Sequence, residues 1–493
     1  MLTRGLKLVK YAAVVATLAL VVLVGVRVYF SQSGAPLEPW HTYVPTELDV
    51  DALDRADWAQ YLAAEARLVA DVRREVVQTL DEEERVPSNR YFSGSIVYPP
   101  SLSQDWNRSY ELLPAGAPAG AVVLLHGLTD SPYSLRHVGR LYADAGYVVV
   151  AIRLPGHGTV PAGLTEVEWD DWMAATRLAV REARLRAADK PLHIVGFSNG
   201  GALALKYALD ALDDPKLPGA DRLVLISPMI GITQFARFAG LASLPAVLPA
   251  FAKAAWLSVL PEFNPFKYNS FPVNGAVQSH RLTRSLQQSL TRHAQAGTLG
   301  RLPPTLTFQS VMDFTVSTRA VITAFYDLLP ANGSELVLFD INHNTKLGPL
   351  LRRTSLSAVE RVLPPAPRRY RTAVVTNERI GSDEAAERSV APGDTAEQVR
   401  PLGVAFPRDV YSLSHVALPF PPSDGLYGSD PDPNEDFGLQ LGAVAIRGER
   451  GALIIGLDAL VRMSSNPFFT EMVDRIRAGI AEPITPAGPA AAR

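Results

Sequence analysis

Gly196-Phe197-Ser198-Asn199-Gly200 is the stretch of this sequence best suited to chemistry. The apolar run Leu192 to Val195, with His193 inside it, has the length of a short buried strand, and Ala202 to Leu209 reads as a helix. A strand that turns at once into a helix through Gly-x-Ser-x-Gly needs glycine two residues before and two after the serine, because a larger residue would obstruct so sharp a turn. The serine hydroxyl then stands clear of the sheet. Ser198 is therefore the candidate covalent nucleophile. Such a pentapeptide also arises by chance in glycine-rich turns, and it is the flanking strand and helix that give it meaning.

Composition bounds the setting. The chain has 493 residues, 47% hydrophobic and 20% charged, enough for two or three average domains or for one α/β core with insertions. A formal net charge of −3 gives no case for nucleic acid or for an acidic substrate. With no cysteine, disulfides, thiolate metal sites and a cysteine nucleophile are all excluded, and no motif calls for a metal or a cofactor.

The elements that must hold Ser198 follow in order. Arg4, Lys7 and Lys10 precede an apolar run from Tyr11 to Val26, which continues past Arg27 through Val28-Tyr29-Phe30. This is long enough for one membrane-spanning helix of about 20 residues, with Arg27 reaching back to a headgroup. The positive flank puts the N-terminus in the cytoplasm and the remainder outside it. A cleaved signal peptide is the rival reading, although Phe30-Ser31-Gln32-Ser33 makes a poor cleavage site. Residues 1–33 are thus read as tail and anchor, and 34–118 as a proline-marked linker with an amphipathic helical segment from Val50 to about Leu80. Residues 119–229 alternate strands (Ala121–Leu125, Tyr147–Ile152, Leu192–Val195, Arg222–Ile226) with helices, which predicts a mostly parallel sheet flanked by helices on both faces. Residues 230–303, rich in Phe and Leu, read as an inserted helical cap over the strand ends. The core resumes over 304–480, with strands at Thr305–Gln309 and Glu335–Asp340, an insertion near 348–400 whose charged part 381–399 reads as mobile, and a last helix from Phe468 to Ile480. Residues 481–493 read as a disordered tail.

Three motifs in this order carry a resemblance: His126-Gly-Leu-Thr-Asp-Ser-Pro132, Arg153-Leu-Pro-Gly-His-Gly-Thr159 and Gly196-Phe-Ser-Asn-Gly-Gly201. Together they resemble the α/β-hydrolase superfamily, and within it they are most similar to bacterial carboxylesterases and monoacylglycerol lipases, over roughly Ala121 to Asp313. The resemblance implies a Ser-acid-His triad in that chain order. Asp313-Phe-Thr-Val316 is similar to the family's Asp-x-x-Val segment, with Asp340 as the rival acid. For the base, His343 has the usual spacing, while Ser414-His415-Val416 resembles the histidine loop of the esterase branch. The rigid run Leu418-Pro-Phe-Pro-Pro422 after His415 favours it over His343, which Asn344-Thr345-Lys346 follows. The oxyanion donors implied are the backbone N–H groups of Leu128 and Asn199, whereas His126 and His157 are structural.

The function expected is that of a membrane-anchored serine hydrolase acting on lipid-like carboxylic esters. Two alternatives remain open: acyl transfer by the same residues to an acceptor other than water, and a non-catalytic envelope binding module on a hydrolase fold.

Overall fold

The computed structural model describes residues 35–231, 249–443 and 456–482, with scattered positions between 7 and 29. Ten strands form one sheet. They are β1 (Tyr110–Leu112), β2 (Gly120–Leu125), β3 (Tyr147–Ile152), β4 (Leu192–Phe197), β5 (Arg222–Ile226), β6 (Thr305–Ser310), β7 (Glu335–Phe339), β8 (Arg371–Asn377), β9 (Glu384–Val390) and β10 (Glu397–Ala405). Their order across the sheet is β1-β3-β2-β4-β5-β6-β7-β8-β9-β10. The seven strands from β3 to β8 in that order run parallel, and β1, β9 and β10 pair antiparallel at the two ends.

Every residue of β2, β3 and β4 is buried, the pattern of central strands covered on both faces. Alternation splits their side chains between two cores. Val123, Val150 and Ile194 join the helices α4 (Trp169–Arg186), α5 (Asn199–Asp213) and α6 (Val273–Gln295). Val122, Val149 and Val195 join α3 (Arg136–Asp144) on the other face, where the last helix, Phe469–Ala481, also packs through Met472 and Ile476. Parallel pairing brings Leu125, Phe197, Ile226, Ser310 and Phe339 into line, so the loops after them share one edge.

Several sequence expectations change. The charged stretch 381–399, read as mobile, contributes β9 and the start of β10 to the sheet. Its one buried carboxylate is paired: Glu387, 2% exposed, meets Arg371, Arg400 and Arg475. Of the expected cap, Phe235, Phe238, Leu241, Leu244 and Leu248 lie outside the described residues. Its remainder divides in two. Leu282, Leu286 and Leu290 of α6 follow a four-residue spacing into the core shared with α4 and α5, while Phe263 and Phe266 pack with Tyr133, Phe420, Tyr427 and Phe437. The N-terminal segment forms α1 (Val50–Arg55) and α2 (Trp58–Glu75), the latter opened by a reciprocal cap between Asp57 and Gln60. Leu53, Trp58 and Tyr61 join the main core.

Of the anchor expected near Tyr11–Phe30, positions 16, 20, 23, 24, 27, 28 and 30 lie outside the described residues, as does the whole tail from 483 on. Among the described residues no helix is long and apolar enough to cross a membrane.

One buried ionic knot fastens the C-terminal part to α3. Arg136, fully buried, donates to Asp424 at 2.7 Å and to Glu435 at 2.6 Å, and its guanidinium lies 4.0 Å from the Tyr133 ring. Asp424 also accepts from the Tyr133 hydroxyl and the Tyr427 N–H. Burial alone would raise the Asp424 carboxyl, but Arg136, His137 and the N–H donor hold it well below the carboxylate range. Asp424→Ala leaves Arg136 with Glu435 as its remaining carboxylate and the buried Tyr133 hydroxyl without its acceptor, and an equilibrium denaturation should show a loss of about 3 kcal/mol.

Protonation should weaken the fold as well. Burial lowers His41 and His157 to about 4 and His193 to about 3. Below about pH 6.5 the unfolded chain takes up protons that these folded imidazoles refuse, so the denaturation midpoint should fall between pH 6.5 and 4. A midpoint that rises over that interval contradicts the assignment.

Candidate active site

Ser198 sits between β4 and α5 with φ 56° and ψ −112°, as expected of a sharp strand-to-helix turn. The space there is small. A Cβ at Gly196 would collide with the Gly200 carbonyl, and one at Gly200 with the Leu125 carbonyl. The Ser198 N–H donates to Ile226 O at 2.9 Å, and its own carbonyl accepts from Met229 N at 2.9 Å, so β5 holds the turn from the side. Thr129 (φ 61°) and Ser227 (φ 43°), also non-glycine residues at positive φ, follow β2 and β5 on the same edge. Backbone strain is concentrated where three strand ends meet.

The loop after β2 lies against this turn: a Cβ on Gly127 would be 3.3 Å from that of Ser198. Neither the Leu128 nor the Asn199 N–H has a hydrogen-bond acceptor among the described residues. Asn199 opens α5, where N–H groups lack helical partners and the helix dipole favours negative charge. His126 and His157 hold backbone. His126 Nε2 accepts from Leu154 N at 3.0 Å and Nδ1 faces Gly127 O at 2.9 Å, while His157 Nδ1 faces Pro155 O at 3.0 Å. Burial keeps both neutral at ordinary pH.

Asp313 and His415, 102 residues apart, meet with Nδ1 2.8 Å from Oδ2. The carboxylate is fully buried and the imidazole 5% exposed. Asp313 Oδ1 accepts from Thr315 N at 2.8 Å and Val316 N at 2.9 Å. Burial would raise the Asp313 carboxyl, but the imidazole and these two N–H groups outweigh it and hold it below the usual range. The His415 loop is pinned by Ser310 Oγ on Leu413 O and by Ser414 Oγ on Arg462 O. The ring lies 5.2 Å from that of Phe197, the neighbour of Ser198, which puts the imidazole beside the turn. With Nδ1–H committed to Asp313, Nε2 is the nitrogen able to take a proton.

His343 belongs to a different constellation. Its Nε2 is 3.1 Å from Asp340 Oδ2, an oxygen that also accepts from Thr376 Oγ1 at 3.0 Å. The two acid-histidine pairs therefore do not exchange partners.

Two supporting features escaped the sequence reading. Gln309 Nε2 donates to Asp313 Oδ2 at 3.1 Å, and an amide inside a buried strand was its only signal. Arg153, 1% exposed, is clamped bidentately by Glu47 at 2.7 and 2.8 Å and approached by Glu65 at 3.3 Å. Glu47 also accepts from Gly156 N, so the N-terminal segment holds the loop that leads to His157.

Residues 116–341 match the family described as Serine aminopeptidase, S33 (Hydrolase_4). Those residues form a domain of the α/β-hydrolase type. A thermostable monoacylglycerol lipase from Bacillus sp. (strain H-257) is 36% identical over 87 residues, 18% of this chain, and the chain spans about a third (34%) of that relative's length. Among solved structures, the monoacylglycerol lipase of Paleococcus ferrophilus is 16% identical, with a TM-score of 0.35 over 52% of this chain and 97% of its own. A soluble variant of the Saccharomyces cerevisiae monoglyceride lipase, in complex with a substrate analogue, is 16% identical with a TM-score of 0.35 over 47% of this chain and 81% of its own.

The Asp313–His415 contact has a spectroscopic consequence. Proton NMR should show a far-downfield imidazole N–H that disappears in Asp313→Ala and persists in His343→Ala. A signal that follows His343 instead would assign the buried pair wrongly.

Proposed function

We propose that this α/β-hydrolase cleaves carboxylic esters through an acyl-enzyme on Ser198. The observation that carries the reading is the Asp313–His415 hydrogen bond, held beside a strained turn that presents a serine. His415 Nε2 takes the hydroxyl proton as Ser198 Oγ attacks the ester carbonyl, and Asp313 orients the imidazole and stabilises the imidazolium that forms. The tetrahedral oxyanion is received by the N–H groups of Leu128 and Asn199, donors that need not first break a bond to the protein. Collapse expels the alcohol, which takes its proton from His415. Water, activated by the same imidazole, then releases the acid.

The substrates proposed are lipid-like esters of monoacylglycerol or lysophospholipid type. The apolar residues Phe235, Phe238, Leu241, Leu244 and Leu248, expected from the sequence to cap the strand ends, support this, and one relative is named a monoacylglycerol lipase. We further propose that the segment from Tyr11 to Phe30 anchors the protein and leaves the catalytic domain outside the cytoplasm, on the strength of its basic flank and apolar run.

Two experiments test these readings. His415→Ala should lower kcat for ester hydrolysis by about 10⁴-fold or more, while His343→Ala, in a variant shown to be folded by its thermal melt, retains most of it. Loss of activity in His343→Ala alone would move the base and leave the nucleophile in place. For the anchor, the protein should fractionate with membranes after a carbonate wash, and a mature N-terminus near Gly34 in the soluble fraction would show cleavage instead.

A further inference from the structure

A cavity of about 900 Å³ opens beside the antiparallel end of the sheet, and neither Ser198, Asp313 nor His415 lines it. Its floor is the face of β8 that carries Thr372, Val374 and Thr376, with Val390 of β9 paired opposite Thr372. The opposite face of these strands is occupied, since Ala373, Val375 and Ala385 pack with Met472 and Ile476 of the last helix. A wall is formed by Val359 of the short helix Ala358–Val362 and by Leu363 to Pro365 after it. The volume lies within the roughly 300–1,000 Å³ range of small-molecule sites.

Three guanidiniums (Arg368, Arg379 and Arg388) and three carboxylates (Asp340, Glu360 and Glu397) line this space, but they are not matched pair by pair. Asp340 is taken by His343 and the Thr376 hydroxyl, and Glu397 by Arg388 at 2.9 Å. Glu360 is exposed and interacts electrostatically with His343. Arg368 is half-buried, yet its bonds go to neutral acceptors: Nε to Pro364 O at 2.7 Å and Nη1 to Thr372 Oγ1 at 3.0 Å. Among the described residues no carboxylate lies within ion-pair distance of it. Burial lowers its pKa although Tyr370 and the more distant Asp327 pull the other way, and an arriving anion would offset that cost. Between this guanidinium and the mouth the surface is hydrocarbon, from Val390 and Val374 past Val359 to Leu356 and Ile380, which are 41% and 90% exposed. Exposed apolar groups at the rim of a lined cavity mark a surface awaiting a partner.

We propose that this cavity binds a long-chain carboxylate of fatty-acid type, at a site separate from Ser198. The carboxylate pairs with Arg368, and the chain lies over Val374 and emerges beside Ile380. A neutral amphiphile gains the same apolar contact but leaves the guanidinium unmatched, and a cationic one is repelled by it.

The test uses the full chain and a dodecanoate carrying a diazirine near its methyl end. After irradiation, peptide mapping should find adducts in the segments that hold Leu356, Val359 or Ile380. Dodecanoate should compete for this labelling and dodecyltrimethylammonium should not. Calorimetric titration of Arg368→Met, which keeps the apolar stem, should show dodecanoate affinity reduced about tenfold or more. If that variant does not fold, the comparison of the two competitors on the unaltered chain decides. Adducts confined to the segments around Ser198 and His415, equal competition by the cation, unchanged affinity in folded Arg368→Met, or better competition by a peptide with an apolar C-terminus would each overturn the proposal.

Discussion

A serine held at φ 56° between a strand and a helix is the constraint on which the rest of this structure depends. An L-residue in that conformation costs on the order of 1–2 kcal/mol, and it persists only where its surroundings leave no alternative. Here the surroundings are backbone. Gly196 and Gly200 close the turn against each other, the Leu125 carbonyl abuts Gly200, and β5 takes the Ser198 N–H. The two neighbouring strands must therefore end in register with β4, and that alignment also delivers the loops of Leu128 and Asp313 to the same edge.

What could be read in advance follows from the range of each signal. The central strands and the turn at Ser198 are written in contiguous residues: apolar β-branched runs, and glycines at fixed offsets. Asp313 and His415 are not contiguous with the Ser198 turn, and their places were inferred from the short loops Asp313-Phe-Thr-Val316 and Ser414-His415-Val416, whose structural neighbours are distant in the chain. Charged segments were the least legible. The acidic Glu47 and Glu65 look like solvent-facing residues of a linker and an amphipathic helix, yet both are spent on Arg153. The stretch around Glu387 likewise reads as disorder until Arg371, Arg400 and Arg475 are brought to it by three other elements. Sequence patterns record polarity, but not whether the compensating charge arrives from another part of the fold.

The two histidines illustrate the same limit. His343 follows β7 directly and finds its carboxylate three residues away, a local pair that forms with the loop itself. His415 reaches Asp313 only after three further strands have been laid beside β7. Spacing favours the nearer histidine and the packed structure joins the farther one to Asp313.

That long detour has a kinetic consequence. Closing a loop of 102 residues gains nothing until the strands within it are paired, and non-local pairing is the slow part of folding. The Ser198 turn can form with β2, β4 and β5, whereas the His415 imidazole arrives only once β8, β9 and β10 are in place. During synthesis the Ser198 turn thus precedes the Asp313–His415 contact by the time needed to make and order the strands between them.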